Sequence, residues 1–397
     1  MVFVSTAIAC AAAPIAESQA QSMQSPALSL CYTTAGSRRI DVNSGAQLAQ
    51  ALANAQPGDW IALAPGAYDG SFDLNASGQE GKPIVVSAAA GTATITGPFD
   101  VSGDFDVLAN LSFTSAPVTL SGSRDRVTRS TFRGEGRYAI GVSGARYNRI
   151  DHNDVSVRGH GIQIRLSGKD PGLADTTGNR IDHNFIHDMT GNPENGNEGI
   201  QIGQSPNSAN WQVRTLVDHN LLDRVEIDSE IISVKAGYNT IAYNTFLDSA
   251  AAVSNRQGSH NDYMFNYIEG VKKDMIVWGD DTRVFGNVFV RTNLDIMGGE
   301  NVSENIGKGQ FPLARRTMIA GNSFQDGKLN VGVLRPTRQW QGPQDTTLGD
   351  NRIDAQNVAR LSGSGTTANA ALKAPAGQAV KLSPADVGPG AKDADCP

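Results

Sequence analysis

Asparagine closes the same short phrase repeatedly through the middle of the chain. NRIDHN runs from Asn148 to Asn153 and again from Asn179 to Asn184. Then come VDHN ending at Asn220, NTIAYN at Asn244, NDYMFN at Asn266, RVFGN at Asn287 and MIAGN at Asn322. The spacings between the final asparagines are 31, 36, 24, 22, 21 and 35 residues. A repeat near 22 residues with longer excursions is the mark of a stacked solenoid. Each unit holds short β-branched stretches broken by Gly, Asn or Asp, where a leucine-rich repeat would show spaced leucines. An apolar or aromatic residue follows most of the phrases, as at Phe185, Phe246, Tyr267, Phe289 and Phe324. The pattern predicts an all-β parallel β-helix, about three strands to a coil, with coils stacked at roughly 4.8 Å. Asparagines at one corner of successive coils can stack and bond their amides to neighbouring backbone. The longer gaps place insertions at coil corners, where binding surfaces are usually built.

Composition agrees. Among 397 residues there are 43 Gly and 28 Asn, and 18% are charged, against a typical ~25%. Many turns and few charges favour a turn-rich β protein over a helical bundle. An apolar content of 39% supplies a core and argues against disorder. The net charge of −7 disfavours a broad nucleic-acid surface, though it leaves room for a local basic cleft.

The ends read differently. Val2 to Ala16 is apolar and small, and Ser18-Gln19-Ala20 suits cleavage after Ala20, so residues 1–20 are expected to be a signal peptide. The basic segment that usually opens such a signal is missing, since the first Lys or Arg is Arg38. A secreted or periplasmic location is expected, and a monomer with no membrane span. Cleavage would leave Cys31 and Cys396, which either pair in an oxidising compartment or stay free near the termini. Gly58 to Leu74 and Lys82 to Gly97 alternate short strands with turns and extend the coils upstream. The solenoid is expected over residues 21–365. Residues 366–397 read as an extended tail covering an end of it.

Residues with chemistry concentrate in three neighbouring units: NGNEGIQIG from Asn195 to Gly203, DSEIISVK from Asp228 to Lys235, and SNRQG from Ser254 to Gly258. Asp228 and Glu230 are two apart, so on a strand both carboxylates share a face. There they either flank a cation, with Asn195 from the preceding coil as a further oxygen ligand suited to Ca²⁺, or stand as solvated surface charges. Lys235 and Arg256 are 21 residues apart, near one coil, which sets two cations on neighbouring rungs. The bland reading of each is an ordinary surface charge. Lys235 has odd parity relative to Glu230, so the chain is expected to turn a corner between them.

Together the three segments resemble polysaccharide lyase family six, the group of alginate lyases and dermatan-sulfate-cleaving chondroitinase B. Its members look like N-G-x-E-x-I-R-I-G, E-x-E-I-I-S-x-K and R-H-G, in that order and at similar spacing. The likeness spans roughly Asn148 to Phe324. It implies a right-handed, single-stranded parallel β-helix and eliminative cleavage of an acidic polysaccharide, alginate foremost. Carried over by position, Asn195, Asp228 and Glu230 match calcium ligands, Lys235 the general base and Arg256 the residue assigned as general acid. Glu198, Gln201, Gln257, His260 and Tyr238 are the expected substrate contacts. Four departures stand out. Asp228 replaces a Glu, Gln201 an Arg, Gln257 a His, and Met275 to Gly279 lacks an Arg that others carry. The cleft is therefore expected to be poor in substrate-binding cations.

Elimination explains the residue types. Removing the C5 proton of a uronate builds charge next to a carboxylate, and a cation beside that carboxylate relieves it. Lysine serves as base only when neutral; its ordinary pKa is ~10.4, and neighbouring cations lower it. Arginine, with a pKa above ~12, is better suited to stabilising the leaving oxygen than to giving up a proton. His152, His183 and His219 precede ladder asparagines and read as structural, while His260 suits either the cleft or a surface turn. Tyr238, Tyr263 and Trp278 suit either sugar stacking or solenoid packing. Competing functions are a chondroitinase B-like lyase, an alginate C5-epimerase and a non-catalytic carbohydrate-binding β-helix.

Overall fold

The computed structural model describes residues 31–166, 175–190, 196–204, 208–302, 306–307, 309–335, 338, 340–354 and 360–396. The proposed signal peptide and Asn195 lie outside them.

Three walls of short parallel strands stack into a β-helix. The first wall is a 14-stranded sheet running from Arg38–Val42 to Thr367–Ala368. The other two walls join into one 22-stranded sheet, because the long strands Thr131–Ser143 and Asp154–Arg165 bend around the corner between them. Register makes the core. Along the first wall Ile61, Val86, Leu108, Val127, Ile150, Ile181, Val217 and Ile241 stand directly above one another, all fully buried. Period-two alternation sends their neighbours outward. The helix Gly45–Ala53 buries Leu48, Ala51 and Leu52 against the first coils, and Ser44 caps its start by accepting from the Gln47 amide.

The expected asparagine ladder is present. The backbone N–H groups of Asn153, Asn184, Asn220, Asn244 and Asn266 each donate to the side-chain oxygen of the next ladder asparagine, at 2.9–3.0 Å. Each side-chain amide reaches back to a carbonyl of the preceding coil, as Asn220 does to Ile181. The corner's backbone groups, which no strand pairs, are satisfied this way. The residue before each asparagine takes a left-handed φ, as at His152, His183, His219, Tyr243 and Phe265. Their rings stack at 4.9–5.1 Å, which gives the three histidines a structural role.

The tail departs from expectation. The solenoid's last strand pairing reaches Thr367–Ala368, and beyond it the chain runs back along the outside of the stack instead of capping an end. Leu372 and Ala374 pack near Phe265 and Ala320. Leu382 N bonds Thr245, Gly388 N bonds the His183 carbonyl, and Asp393 and Asp395 reach Arg126, Arg149 and Arg180. These arginines already pair with the Asp one coil on: Arg126 with Asp151, Arg149 with Asp182, Arg180 with Asp218. Each guanidinium has more N–H donors than one carboxylate uses, and the tail aspartates accept from the same arginines. A disulfide between Cys31 and Cys396 closes the strap. No helix among the described residues is long and apolar enough to cross a membrane.

Candidate active site

The third wall carries the site. In register along it stand Gln163, Gln201, Ser233 and Ser254. Val234 is level with Asn255, so Lys235 and Arg256, each one residue further on, occupy consecutive rungs as expected. Gly258 follows because the coils nearly touch there: a Cβ would run into the Ala236 carbonyl.

Glu230 reaches the same face by a different route from the corner foreseen. Glu230 pairs with Ala252 and Ile232 with Val253, so Ile231 is an extra residue in the strand. This β-bulge resets the alternation. Ile231, Ile232 and Val234 all point inward, while Glu230 and Ser233 meet outside, with Ser233 Oγ donating to Glu230 Oε2 at 2.5 Å. Burial pushes the Glu230 carboxyl above its usual range, against the opposing pull of Lys235, Ser233 and Arg256. Arg256 Nε lies 3.7 Å from Glu230 Oε1.

Glu198 is the partner of Lys235. Nζ donates to its Oε1 at 2.8 Å, and Gln201 donates to the same oxygen at 3.4 Å. Burial alone would raise the Glu198 carboxyl, but His160 and Lys235 bring it down to about 2. Gln201 is thus engaged with protein groups on both sides, since Gln163 also donates to it.

Asp228 stands apart from the metal role expected of it. It lies in the bend before the strand, not on the strand beside Glu230. One oxygen accepts from Gly196 N at 2.6 Å and Asn197 N at 3.1 Å. The other accepts from the Ser229 amide and, at 3.0 Å, the Ser229 hydroxyl. A carboxylate offers about four lone-pair sites, so these donors use them all. Asp228 fastens the loop that carries Glu198. Of the two expected ligands among the described residues, Glu230 keeps open oxygen capacity, while Asp228 spends its own on the loop. Held in this way, Asp228 does not fit the part of a calcium ligand. Among the described residues, the two groups of three that could hold an ion, Asp151–His152–Asp393 and His152–Asp182–His183, lie under the strap, where arginines occupy the carboxylates.

The cleft is not short of cations. Arg335 and Arg338, far downstream in sequence, come up beside Arg256 over an aromatic floor. The guanidinium carbons of Arg256, Arg335 and Arg338 lie 3.6, 4.8 and 4.9 Å from the centre of the Phe311 ring. Trp278 and Trp340 complete the floor. Arg338 is 3.3 Å from Glu300; Arg335 forms no ion pair among the described residues. Burial lowers the Arg256 pKa and, despite Glu230, so do the two neighbouring arginines. Among the described residues Arg256 Nη1 is buried without a hydrogen-bond partner. Sequence spacing gave no warning of this cluster, because a loop and not the coil period delivers it.

The remaining candidates separate. Gln257 is buried and donates to the Gln310 carbonyl at 3.0 Å. Tyr238 and His260 stack on each other at 4.5 Å, at the corner preceding the ladder residues Asn239 and Asn261, with His260 3.7 Å from Asp281. Trp278 and Tyr263 are about 1% exposed, which makes them packing residues and not sugar platforms.

A family model described as chondroitinase B matches residues 42–120 and 130–350. No curated protein matches. Among solved structures, the chain is similar to a mannuronic-acid-specific polysaccharide family 6 lyase from human gut microbiota, at TM-score 0.67 and 24% identity, covering 80% of this chain and 84% of that one. It is similar to an alginate lyase of the same family in complex with a trisaccharide, at TM-score 0.68 and 20% identity, covering 84% of each chain. It is also similar to the alginate lyase AlyGC, at TM-score 0.63 and 22% identity, with 83% of this chain matching 53% of that longer one.

Proposed function

Because the chain belongs to the chondroitinase B family, whose solved relatives are family-six polysaccharide lyases, we propose that it cleaves an acidic, uronate-containing polysaccharide, alginate foremost, by β-elimination. The observation that carries this reading is the placement of Lys235 and Arg256 on consecutive rungs of one wall, beside two further arginines. Lys235, as the free amine, takes the C5 proton. The electron pair left behind forms the C4–C5 double bond as the O4 bond breaks. Arg256 Nη1, a donor with no acceptor among the described residues, stabilises the departing oxygen, and the Lys235 ammonium or water returns the proton to it. Preorganised donors aimed at developing charge are the usual main source of such acceleration. Arg335 and Arg338 neutralise the substrate carboxylates, a task the resemblance alone would assign to calcium.

Export fits the same reading. A disulfide between Cys31 and Cys396 is at home in an oxidising compartment, which supports a secreted or periplasmic enzyme acting on polymer outside the cytoplasm.

The test is to follow unsaturated product by ultraviolet absorbance on alginate and on dermatan sulfate. Lys235→Ala should reduce kcat by about 10²–10⁴. Wild-type activity should persist in EDTA; loss in EDTA restored by Ca²⁺ would return the carboxylate to a metal. Uronate inversion without unsaturated product would make the protein an epimerase, and binding without either product a carbohydrate-binding β-helix.

A further inference from the structure

Beside Lys235, four side chains from two neighbouring coils close a ring: Glu198, Gln201, Gln163 and His160. The direction of its hydrogen bonds follows from one member. Glu198 is held ionised, and a carboxylate only accepts. Gln201 therefore presents its amide nitrogen to Glu198 Oε1, and its amide oxygen accepts from Gln163 Nε2. The same Gln163 nitrogen lies 3.1 Å from His160 Nε2, so that ring nitrogen must be the unprotonated one. The proton is then on Nδ1, which faces Glu198 Oε2 at 3.0 Å. That last contact is a close approach without hydrogen-bond alignment, and among the described residues both of its atoms are buried with no hydrogen-bond partner. His160 is 7% exposed, so no solvent competes for its proton.

We propose that His160 is a positioning residue for the elimination: by the close approach of its Nδ1 to Oε2 it holds Glu198 in the orientation that fixes Lys235 Nζ at the C5 proton. This rests on the reading of Lys235 as the base. His160 touches no reacting atom. Its effect passes through one carboxylate, whose two oxygens separate the tasks, Oε2 toward His160 and Oε1 toward Lys235. Without the imidazole, Glu198 keeps its bonds to Lys235 and Gln201 but loses the contact that sets its rotation. A misplacement on the order of 1 Å at a reacting group can cost about 10²-fold in rate.

Three substitutions separate positioning from packing. In His160→Asn an amide nitrogen can stand where Nδ1 stands and donate to Glu198. In His160→Gln the amide falls nearer Nε2, and His160→Ala has neither. With KM held within about twofold, kcat should fall roughly 10- to 100-fold in the Ala and Gln variants and recover most of its value in Asn. Unchanged kcat in all three, or an Asn variant as slow as Ala at equal thermal stability, would overturn the proposal. A wild type inactive on every uronate polymer would instead sink the elimination reading. NMR of the ring nitrogens provides a check that needs no activity. His160 should show a protonated Nδ1 and a bare Nε2, and the reverse tautomer would overturn the ring and the proposal with it.

Discussion

Asp106 and Asp125 stand where asparagine would serve better. At the second corner of the coil, the Asn148 side-chain oxygen accepts from Asp125 N, Asp125 Oδ1 from Asp106 N, and Asp106 Oδ1 from Gly78 N. This repeats the bonding of the asparagine ladder, but the remaining oxygen of each aspartate is buried without a partner. Burial raises both carboxyls, Asp106 to about 8. A proton on the unpartnered oxygen makes the acid resemble an amide. The sign follows from a folded pKa above the unfolded ~3.9: the stabilisation is full below about pH 4 and is lost as pH rises through about 8. Asp106→Asn should therefore gain on the wild type across that range, by roughly 1–3 kcal/mol at pH 9. Denaturant titrations from pH 4 to pH 9 would check this, and parallel curves for the two proteins would refute it.

At the scale of the strand, the bulge at Ile231 brings Glu230 and Lys235 to one face despite their odd spacing. It lets two adjacent isoleucines face the core while Glu230 and Ser233, three apart, share the cleft. Deleting Ile231 restores simple alternation and leaves Glu230 level with Ala252 on the cleft side, but it removes a buried core side chain and shifts the Asp228 bend that fastens the Glu198 loop. The deletion variant should lose activity and melt at lower temperature, yet keep the circular dichroism of a β-helix, because the other rungs are untouched. Normal activity would mean that the Asp228 fastening has no part in setting the site. The same segment shows what a sequence discloses. The ladder asparagines are legible because every coil must satisfy the same unpaired corner amides, and the need repeats as a letter. The rung spacing of Lys235 and Arg256 is legible for the same reason. A bulge is one more isoleucine in an apolar run and leaves no such mark. Asp228 was misleading because a carboxylate that fastens a loop and one that holds a cation are written alike. Arg335, Arg338 and Phe311 lie outside the coil period, so only the folded chain brings them to Arg256.

Across the whole molecule, the strap joins what the solenoid separates. Stacked repeats contact only their neighbours and tend to open from their ends. Here the tail from the last coil returns past Thr245 and His183 to Arg126, and Cys396 bonds Cys31 before the first coil. Replacing both cysteines by serine should cost about 2–5 kcal/mol and admit a protease to residues 373–396 first, with activity on alginate retained at low temperature. An equal melting temperature and equal protease resistance in the two forms would show that the arginine–aspartate contacts suffice alone. The pairing was one of two open outcomes for Cys31 and Cys396, since thiols 365 residues apart say nothing of proximity until the return path is known. That path also decides how the molecule carries load. Tension applied at residues 31 and 396 travels through a single sulfur–sulfur bond and leaves every coil slack. Stretched between two surfaces, the oxidised protein should behave as a short inextensible link, and only a reductant should let it pay out its coils one after another.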